Sequence, residues 1–336
     1  MQATLIYNPN SGGADQVHPE ALLNALRDAG FYPVYEATKT ESDLDRVLTN
    51  AKGLLVIAGG DGSVRAVATR VIGKDVSIAV LPVGTANNIS RSLGFQGRPL
   101  DIISRLKDPL IRFFDVGHVI APWGEDYFLE AFGYGLFADT LYSYRPDQGK
   151  SLLRSVVSVT EALTKEHDYR CTVRVDGEEI SDDYIMLEVL NTASFGPRLR
   201  FAPEAQTNDG KFEVVRIMRQ AEESFLNYLG GLLSGELEEL SSVYCVQGSK
   251  IEIEWPGTFH LHLDAEVRPA PERPLPVEEE KLGAPPIVKG DYEGLILVEA
   301  LHKALEFWLP APAAGEERPE IGITEPLPIP TSNVIA

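Results

Sequence analysis

Hydrophobic and polar positions change their rhythm once along the chain. From residue 3 to 119, short apolar runs alternate with amphipathic stretches. ATLIYN, FYPVYEA, GLLVIAGG, VSIAVLP and IRFFDVGHV read as strands. PEALLNALRDAG, ESDLDRVLTNAKG, GSVRAVATRVIG, TANNISRSLG and PLDIISRLKD read as helices. Strands alternating with helices predict an α/β N-terminal domain over residues 1–118, doubly wound around a mostly parallel sheet. Beyond it the period becomes two. YFLEAFGYG, CTVRVDGEEI, DDYIMLEVLNTA, KFEVVRIM, SSVYCVQG, SKIEIEW and TFHLHLDAE predict an all-β-rich C-terminal sandwich over 119–290, with helical patterns near 150–166 and 221–234. DYEGLILVEALHKALEFWL predicts an amphipathic helix over 291–309 that packs back on the first domain. Residues 310–336 are proline-rich and predict a flexible tail.

Composition narrows the function classes. The chain has 336 residues, 44% hydrophobic, and a formal net charge of −20. Residues 1–100 carry as many Lys/Arg as Asp/Glu, so the acidic excess lies beyond them. An acidic chain argues against nucleic acid as a partner, because that needs Lys/Arg to displace counterions. It argues also against tight constitutive docking to anionic lipid. No run approaches the roughly 18 apolar residues of a membrane span. MQATLIYNPN lacks the basic and apolar regions of a signal peptide and reads as a first strand. Cys171 and Cys245 read as reduced core residues, which fits a cytoplasmic location. His260 and His262 share a strand face without a partner at zinc-site spacing.

The candidate chemistry lies in three turns. Gly59, Gly60, Asp61, Gly62 and Ser63 follow a buried strand and open a helix. Glycines there let the backbone approach a phosphate, and the helix start offers N–H groups and a positive dipole end. A carboxylate such as Asp61 beside phosphates needs a cation or a donor network, which suggests a Mg²⁺ or water-linked role. AVLPVGTANNISRSLG repeats the form with Gly84, Thr85, Asn87 and Asn88, and LIYNPNSGG does so with Asn8, Ser11, Gly12 and Gly13. Each alone could be a helix cap. Together, at the same ends of successive strands, they favour a nucleotide.

NPNSGG, GGDGSV and LPVGTANNISRSLG resemble the signature blocks of the diacylglycerol kinase catalytic-domain family, especially its soluble bacterial lipid kinases, with sphingosine kinases and more distantly NAD kinases as relations. The resemblance continues through DVGHV, FGYGLFADT, VLNTASFGPRLRFAPEAQTNDGKFEVV and LHLDAE and covers residues 3–268. It implies a two-domain lipid-kinase/NAD-kinase-like architecture and ATP held by Asn8, Ser11, Gly12, Thr38, Gly59 to Ser63, Thr85 and Asn88. It implies Asp264 as the general base, with Glu266 two residues on along the same strand face. It implies a structural Mg²⁺ on Asp209, with the backbones of Gln206 and Lys211. Three positions depart from the family pattern: Ser63 replaces threonine, Ala265 replaces the glycine of Asp-Gly-Glu, and Asn88 replaces the aspartate of GTxND.

The expected function is ATP- and Mg²⁺-dependent phosphorylation of a lipid hydroxyl, with diacylglycerol as acceptor and phosphatidic acid as product. Alternatives are a non-catalytic nucleotide-binding lipid sensor, motivated by Asn88 and Ala265, and a kinase of a sphingoid base or phosphatidylglycerol. A kinase of a soluble acceptor such as NAD is disfavoured by the GTANN block. The implied partners are a lipid substrate and a transient membrane surface, peripheral to a cytoplasmic protein, and a homodimer is allowed. Phe132, Tyr134, Phe137, Phe195 and Phe201 are candidates to line an apolar cleft, with core packing as their plainer reading.

Overall fold

The computed structural model describes residues 1–13, 17–38, 41–143, 169–196, 198–218, 225–269 and 293–312. Its first half alternates as the pattern predicts: β1 Gln2–Tyr7, α1 Pro19–Asp28, β2 Tyr32–Ala37, α2 Glu41–Leu48, β3 Gly53–Gly59, α3 Asp61–Ala68, β4 Val76–Pro82, α4 Asn88–Ser92 and α5 Pro99–Arg105. β1 pairs in parallel with β2 and β3, and β3 with β4, so all four carboxyl ends lie on one side. Pro33 sits on β2, the end of that sheet, where its missing N–H costs no ladder bond.

Next come β5 Leu110–Ala121, β6 Gly124–Phe128, β7 Ala131–Gly135, α6 Leu136–Ser143, β8 Tyr169–Arg170, β9 Thr172–Val175 and β10 Glu178–Glu179. They are followed by β11 Asp183–Leu190, β12 Ser194–Phe195, β13 Leu199–Arg200, β14 Phe212–Met218, α7 Phe225–Ser234, β15 Val243–Gly248, β16 Lys250–Trp255, β17 Leu261–Leu263, β18 Glu266–Arg268 and β19 Gly294–Leu309. One antiparallel sheet runs β15-β14-β11-β7-β17-β18. The other sheet runs β10-β9-β16-β19-β4-β3-β1-β2, with β5 on β19 and β6 on β5, so it passes from one half of the molecule to the other.

Residues 294–309 are therefore a 16-residue strand and not the predicted helix. Leu, Ala and Glu favour a helix, but Ile296 and Val298, then Leu305, Phe307 and Leu309, are buried at every second position. The alternation changes phase across a bulge that contains Lys303 at φ +54°. The expected contact with the first half exists in strand form: β19 pairs in parallel with β4 at Glu306–Ser77 and Phe307–Ile78.

The apolar residues form two cores. Phe114 and Val116 of β5 pack in the first, with Leu305, Phe307 and Leu309, while Val119 packs in the second, with Ile296 and Val298. β5 and β19 thus cross together from one core to the other. Cys171 is buried and bonded to the Tyr134 hydroxyl, whereas Cys245 is exposed on β15, which corrects its reading as a core residue. The pattern near 150–166 and residues 313–336 lie outside the described residues. Within the described residues, no helix is long and apolar enough to cross a membrane.

Candidate functional site

Three turns meet at the carboxyl rim of the parallel strands. Asn8 donates its N–H to Ala58 O and its Nδ2 to Ser63 Oγ at 2.8 Å, tying the first turn to the loop after β3. Gly13 N–H donates to Val83 O, and Val83 N–H to Gly59 O. The glycines are needed for this closeness. A Cβ on Gly84 would overlap Gly60 Cα, and one on Gly12 would stand 2.8 Å from Thr85 Oγ1. Gly60 is the N-cap of α3, whose first turn therefore opens onto the rim. Thr38 follows β2 and is half-buried on the same side.

Asp61 does not stand free in this cradle. Its Oδ1 accepts the Ile89 N–H at 3.1 Å, so it caps the start of α4. Burial pushes its pKa up, and the backbone N–H groups of Ile89, Asn88 and Asn87 pull against that. Asn87, at φ +53°, closes the turn onto Gly84 with its side chain. Asn88 is buried and aims inward. Its Nδ2 donates to Glu130 Oε2 at 2.7 Å and to Gly196 O at 3.0 Å, while its Oδ1 is buried without a hydrogen-bond partner.

The second half supplies the opposing wall. Asp264 and Ala265, at φ +47° and +62°, are the two central residues of the hairpin between β17 and β18. That is the geometry of a type I′ turn. Glu266 therefore begins the next strand and does not share a strand face with Asp264. It is exposed and pairs with Arg65 Nη1 at 2.7 Å and Arg268 Nη2 at 3.1 Å. The Asp264 carboxylate is buried. Its Oδ1 accepts the Glu130 and Ala131 N–H groups at 2.7 and 3.0 Å, and its Oδ2 accepts that of Leu129 at 2.9 Å. Arg65 Nε completes the set at 3.1 Å. Burial raises the Asp264 pKa, with Arg65 and these N–H groups acting the other way. Glu130 is pushed well above the usual carboxylate range, by burial first and then by the charges of Asp61 and Asp264.

The sequence reading missed four of these residues. Arg65 lies one turn beyond the glycine loop and reads there as a surface helix residue. Glu130 lies inside an apolar run. Arg198 donates to Thr85 O at 2.7 Å and to Ala86 O at 3.1 Å, and Arg91 donates to the same Ala86 O. Two guanidinium groups thus flank the second turn. Burial and then the neighbouring Arg91 lower the Arg198 pKa. Arg91 and Arg198 are charged residues within motif blocks, which is the one signal that could have found them.

The Asp209 loop is a separate place. Gln206, Asp209 and Lys211 are exposed, and Asp209 Oδ1 accepts the Lys211 N–H at 3.0 Å. The loop is anchored by buried Asp115, which accepts the N–H groups of Gly210 at 2.7 Å and Lys303 at 2.6 Å and meets His302 Nδ1 at 3.0 Å. No group of three or more His, Cys, Asp or Glu side chains placed to hold a metal ion occurs among the described residues. One carboxylate with main-chain carbonyls is nevertheless a hard-oxygen set of the kind Mg²⁺ takes. Phe132, Tyr134, Phe137, Phe195 and Phe201 are all buried in the second core, so their plainer reading holds.

Comparisons with known proteins bear on the family and the fold. Residues 2–119 match the family model of the diacylglycerol kinase catalytic domain, and residues 146–281 that of the YegS C-terminal NAD kinase beta sandwich-like domain. The chain is 25% identical over 279 residues to a diacylglycerol kinase of Bacillus subtilis (strain 168), covering 79% of this chain and 89% of that one. It is 27% identical over 210 residues to a "Probable lipid kinase YegS-like" of Klebsiella pneumoniae (strain 342), covering 60% and 69%. A crystal structure of a diacylglycerol kinase from Bacillus anthracis str. Sterne shares the fold, with a TM-score of 0.63 at 18% identity over 93% of this chain and 97% of that one.

Proposed function

From the premise that this chain belongs to the diacylglycerol kinase catalytic-domain family, as a lipid kinase, we propose that it transfers the γ-phosphoryl group of ATP to the hydroxyl of diacylglycerol, giving phosphatidic acid and ADP. The observation that carries this reading is the meeting of three glycine-containing turns at one sheet rim, directly opposite the buried carboxylates Glu130 and Asp264. Phosphoryl transfer needs placement and charge stabilisation more than covalent help. The α3 N-terminus and the turns of Asn8 and Thr85 receive the phosphates. Ser63, held by Asn8, stands beside them. Arg91 and Arg198 bring positive charge to an otherwise acidic wall. A buried carboxylate takes the proton that the acceptor hydroxyl gives up.

Mg²⁺ bound with the nucleotide would offset its phosphate charge beside Asp61. In the Asp209 loop, the Asp209 carboxylate and the Gln206 and Lys211 carbonyls would hold a second ion, whose role is to stiffen the loop beside Asp115. A lipid acceptor requires the site to face a bilayer during turnover, so membrane contact is transient and peripheral.

The test incubates the purified chain with ATP, Mg²⁺ and vesicles that contain diacylglycerol, a sphingoid base or phosphatidylglycerol, with products read by mass spectrometry. Phosphatidic acid is the expected product. Phosphorylation of another lipid alone corrects the acceptor, and nucleotide binding without any lipid product favours the sensor.

A further inference from the structure

The carboxyl groups of half-buried Asp61 and of buried Glu130 and Asp264 lie within electrostatic reach of one another, yet among the described residues the only ion pair in the group is Arg65 with Asp264. What holds each carboxylate differs. Both oxygens of Asp264 are occupied, by three backbone N–H groups and a guanidinium. Those N–H groups belong to Leu129, Glu130 and Ala131. Asp264 therefore grips the backbone segment that carries Glu130. Glu130 itself accepts from two neutral donors, the Asn88 amide and the Gly196 N–H, and pairs with no cation among the described residues. Beside it Asn88 Oδ1 is a buried acceptor with nothing to accept, and Asn88 is 1% exposed. An orphan acceptor next to an uncompensated carboxylate is a place for a donor that arrives from outside, and a hydroxyl is such a donor.

We infer that Glu130 is the carboxylate that takes the proton of the acceptor hydroxyl, and that Asp264, to which the family resemblance gives that step, is a positioning residue acting through the 129–131 backbone. The inference rests on the lipid-kinase reading above. As the acceptor O–H bond breaks, its proton passes to Glu130. The oxygen's electron pair forms the bond to the γ-phosphorus. The bond from that phosphorus to the bridging oxygen breaks, and its pair leaves on ADP. Glu130 returns the proton to water as product departs. At Asp264 three N–H groups and a guanidinium pull against the effect of burial, so it is held nearer its charged form than burial alone would leave it and is the poorer base of the two. Glu130, held by neutral donors between two like charges, is a more willing one. The charged groups facing it are Asp61 from α3 and Asp264 from the β17–β18 hairpin, with Arg65 behind Asp264. Asn88 of α4 and Gly196 after β12 face it as neutral groups.

The experiment measures kcat/KM against pH for the wild type, Glu130→Gln and Asp264→Asn, with nucleotide affinity measured by calorimetry. Wild-type activity should fall on the acid side as one carboxylate protonates. Glu130→Gln should lower kcat by about 10²–10⁴-fold, abolish that acid limb and leave nucleotide affinity unchanged. Asp264→Asn should keep the limb and move it to lower pH, because a negative neighbour that raises the Glu130 pKa has gone. Loss of the limb in Asp264→Asn and its survival in Glu130→Gln would overturn the assignment. Should Asp264→Asn not fold, Asn88→Asp added to Glu130→Gln decides. It places a carboxylate across the same hydrogen bond and should recover about tenfold or more of kcat, and no recovery counts against the inference. A wild-type chain that turns over no lipid overturns the kinase reading itself, whereas turnover governed by Asp264 overturns only this one.

Discussion

Arg65 Nε lies 3.1 Å from Asp264 Oδ2, although the two are 199 positions apart and belong to opposite walls of the site. The same guanidinium reaches Asp126 and Glu266, and donates to the Tyr127 carbonyl. It is the clasp between the helix that follows the glycine loop and the hairpin that carries Asp264. Removing one partner of a buried pair strands the other charge. Arg65→Met should therefore lower stability by about 3–5 kcal/mol, read by urea unfolding. A loss below about 1 kcal/mol would mean that the pair behaves as a surface ion pair.

Gly84 and Gly60 touch backbone to backbone at the centre of the rim. Gly84→Ala forces a methyl into that contact and pushes the two turns apart. Overpacking of this kind disturbs a site by about 1–3 kcal/mol, so affinity for an ATP analogue should fall about tenfold or more by calorimetry. Unchanged affinity would separate the rim from nucleotide binding.

Ala265 holds φ at +62°, where an L side chain crowds its own carbonyl. Ala265→Gly relieves that strain and also loosens the unfolded chain, which offsets part of the gain. A net increase of about 0.5–1 kcal/mol is expected in thermal unfolding. A lower melting temperature would show that the methyl contributes packing greater than the strain.

Glu188 and His262 form a fully buried pair at 2.8 Å behind the site, where burial raises the Glu188 pKa above its ordinary value. A carboxyl with a raised folded pKa favours folding most below its unfolded pKa and loses that contribution as pH rises through the folded one. Glu188→Gln removes the loss. Its stability relative to wild type should climb as pH increases from about 5 to 8 in urea titrations. A relative decline over that range would mean that the pair is held fully charged.

The α/β half was legible because its strands and helices each announce themselves locally. Leu54 to Ala58 is a buried run with glycines directly after it, and the strand, the glycine turn and the helix beyond could be read from that order alone. Residues 294–309 were not legible. Leu295, Leu297 and Leu301 supply apolar groups at helical spacing as well as at strand spacing, and only β5 and β16 on either side decide between them. Glu130 was hidden for a similar reason. An acidic residue between Leu129 and Ala131 says nothing until Asn88 and Asp264 fold against it. Asp264 itself is legible only through its family motif, because the 129–131 backbone that its oxygens face lies more than 130 positions away in the chain.

The path of β19 sets an order on the making of this protein. β4 precedes the β19 residue Glu306 that pairs with its Ser77 by 229 positions, so it keeps an open edge, and the first core lacks Leu305, Phe307 and Leu309, until those residues have been translated. An open parallel edge is sticky in an unfinished chain. The half that is made first is closed last. The return of residue 309 to the side of β4 is the event that turns two successive pieces of chain into one cooperative fold.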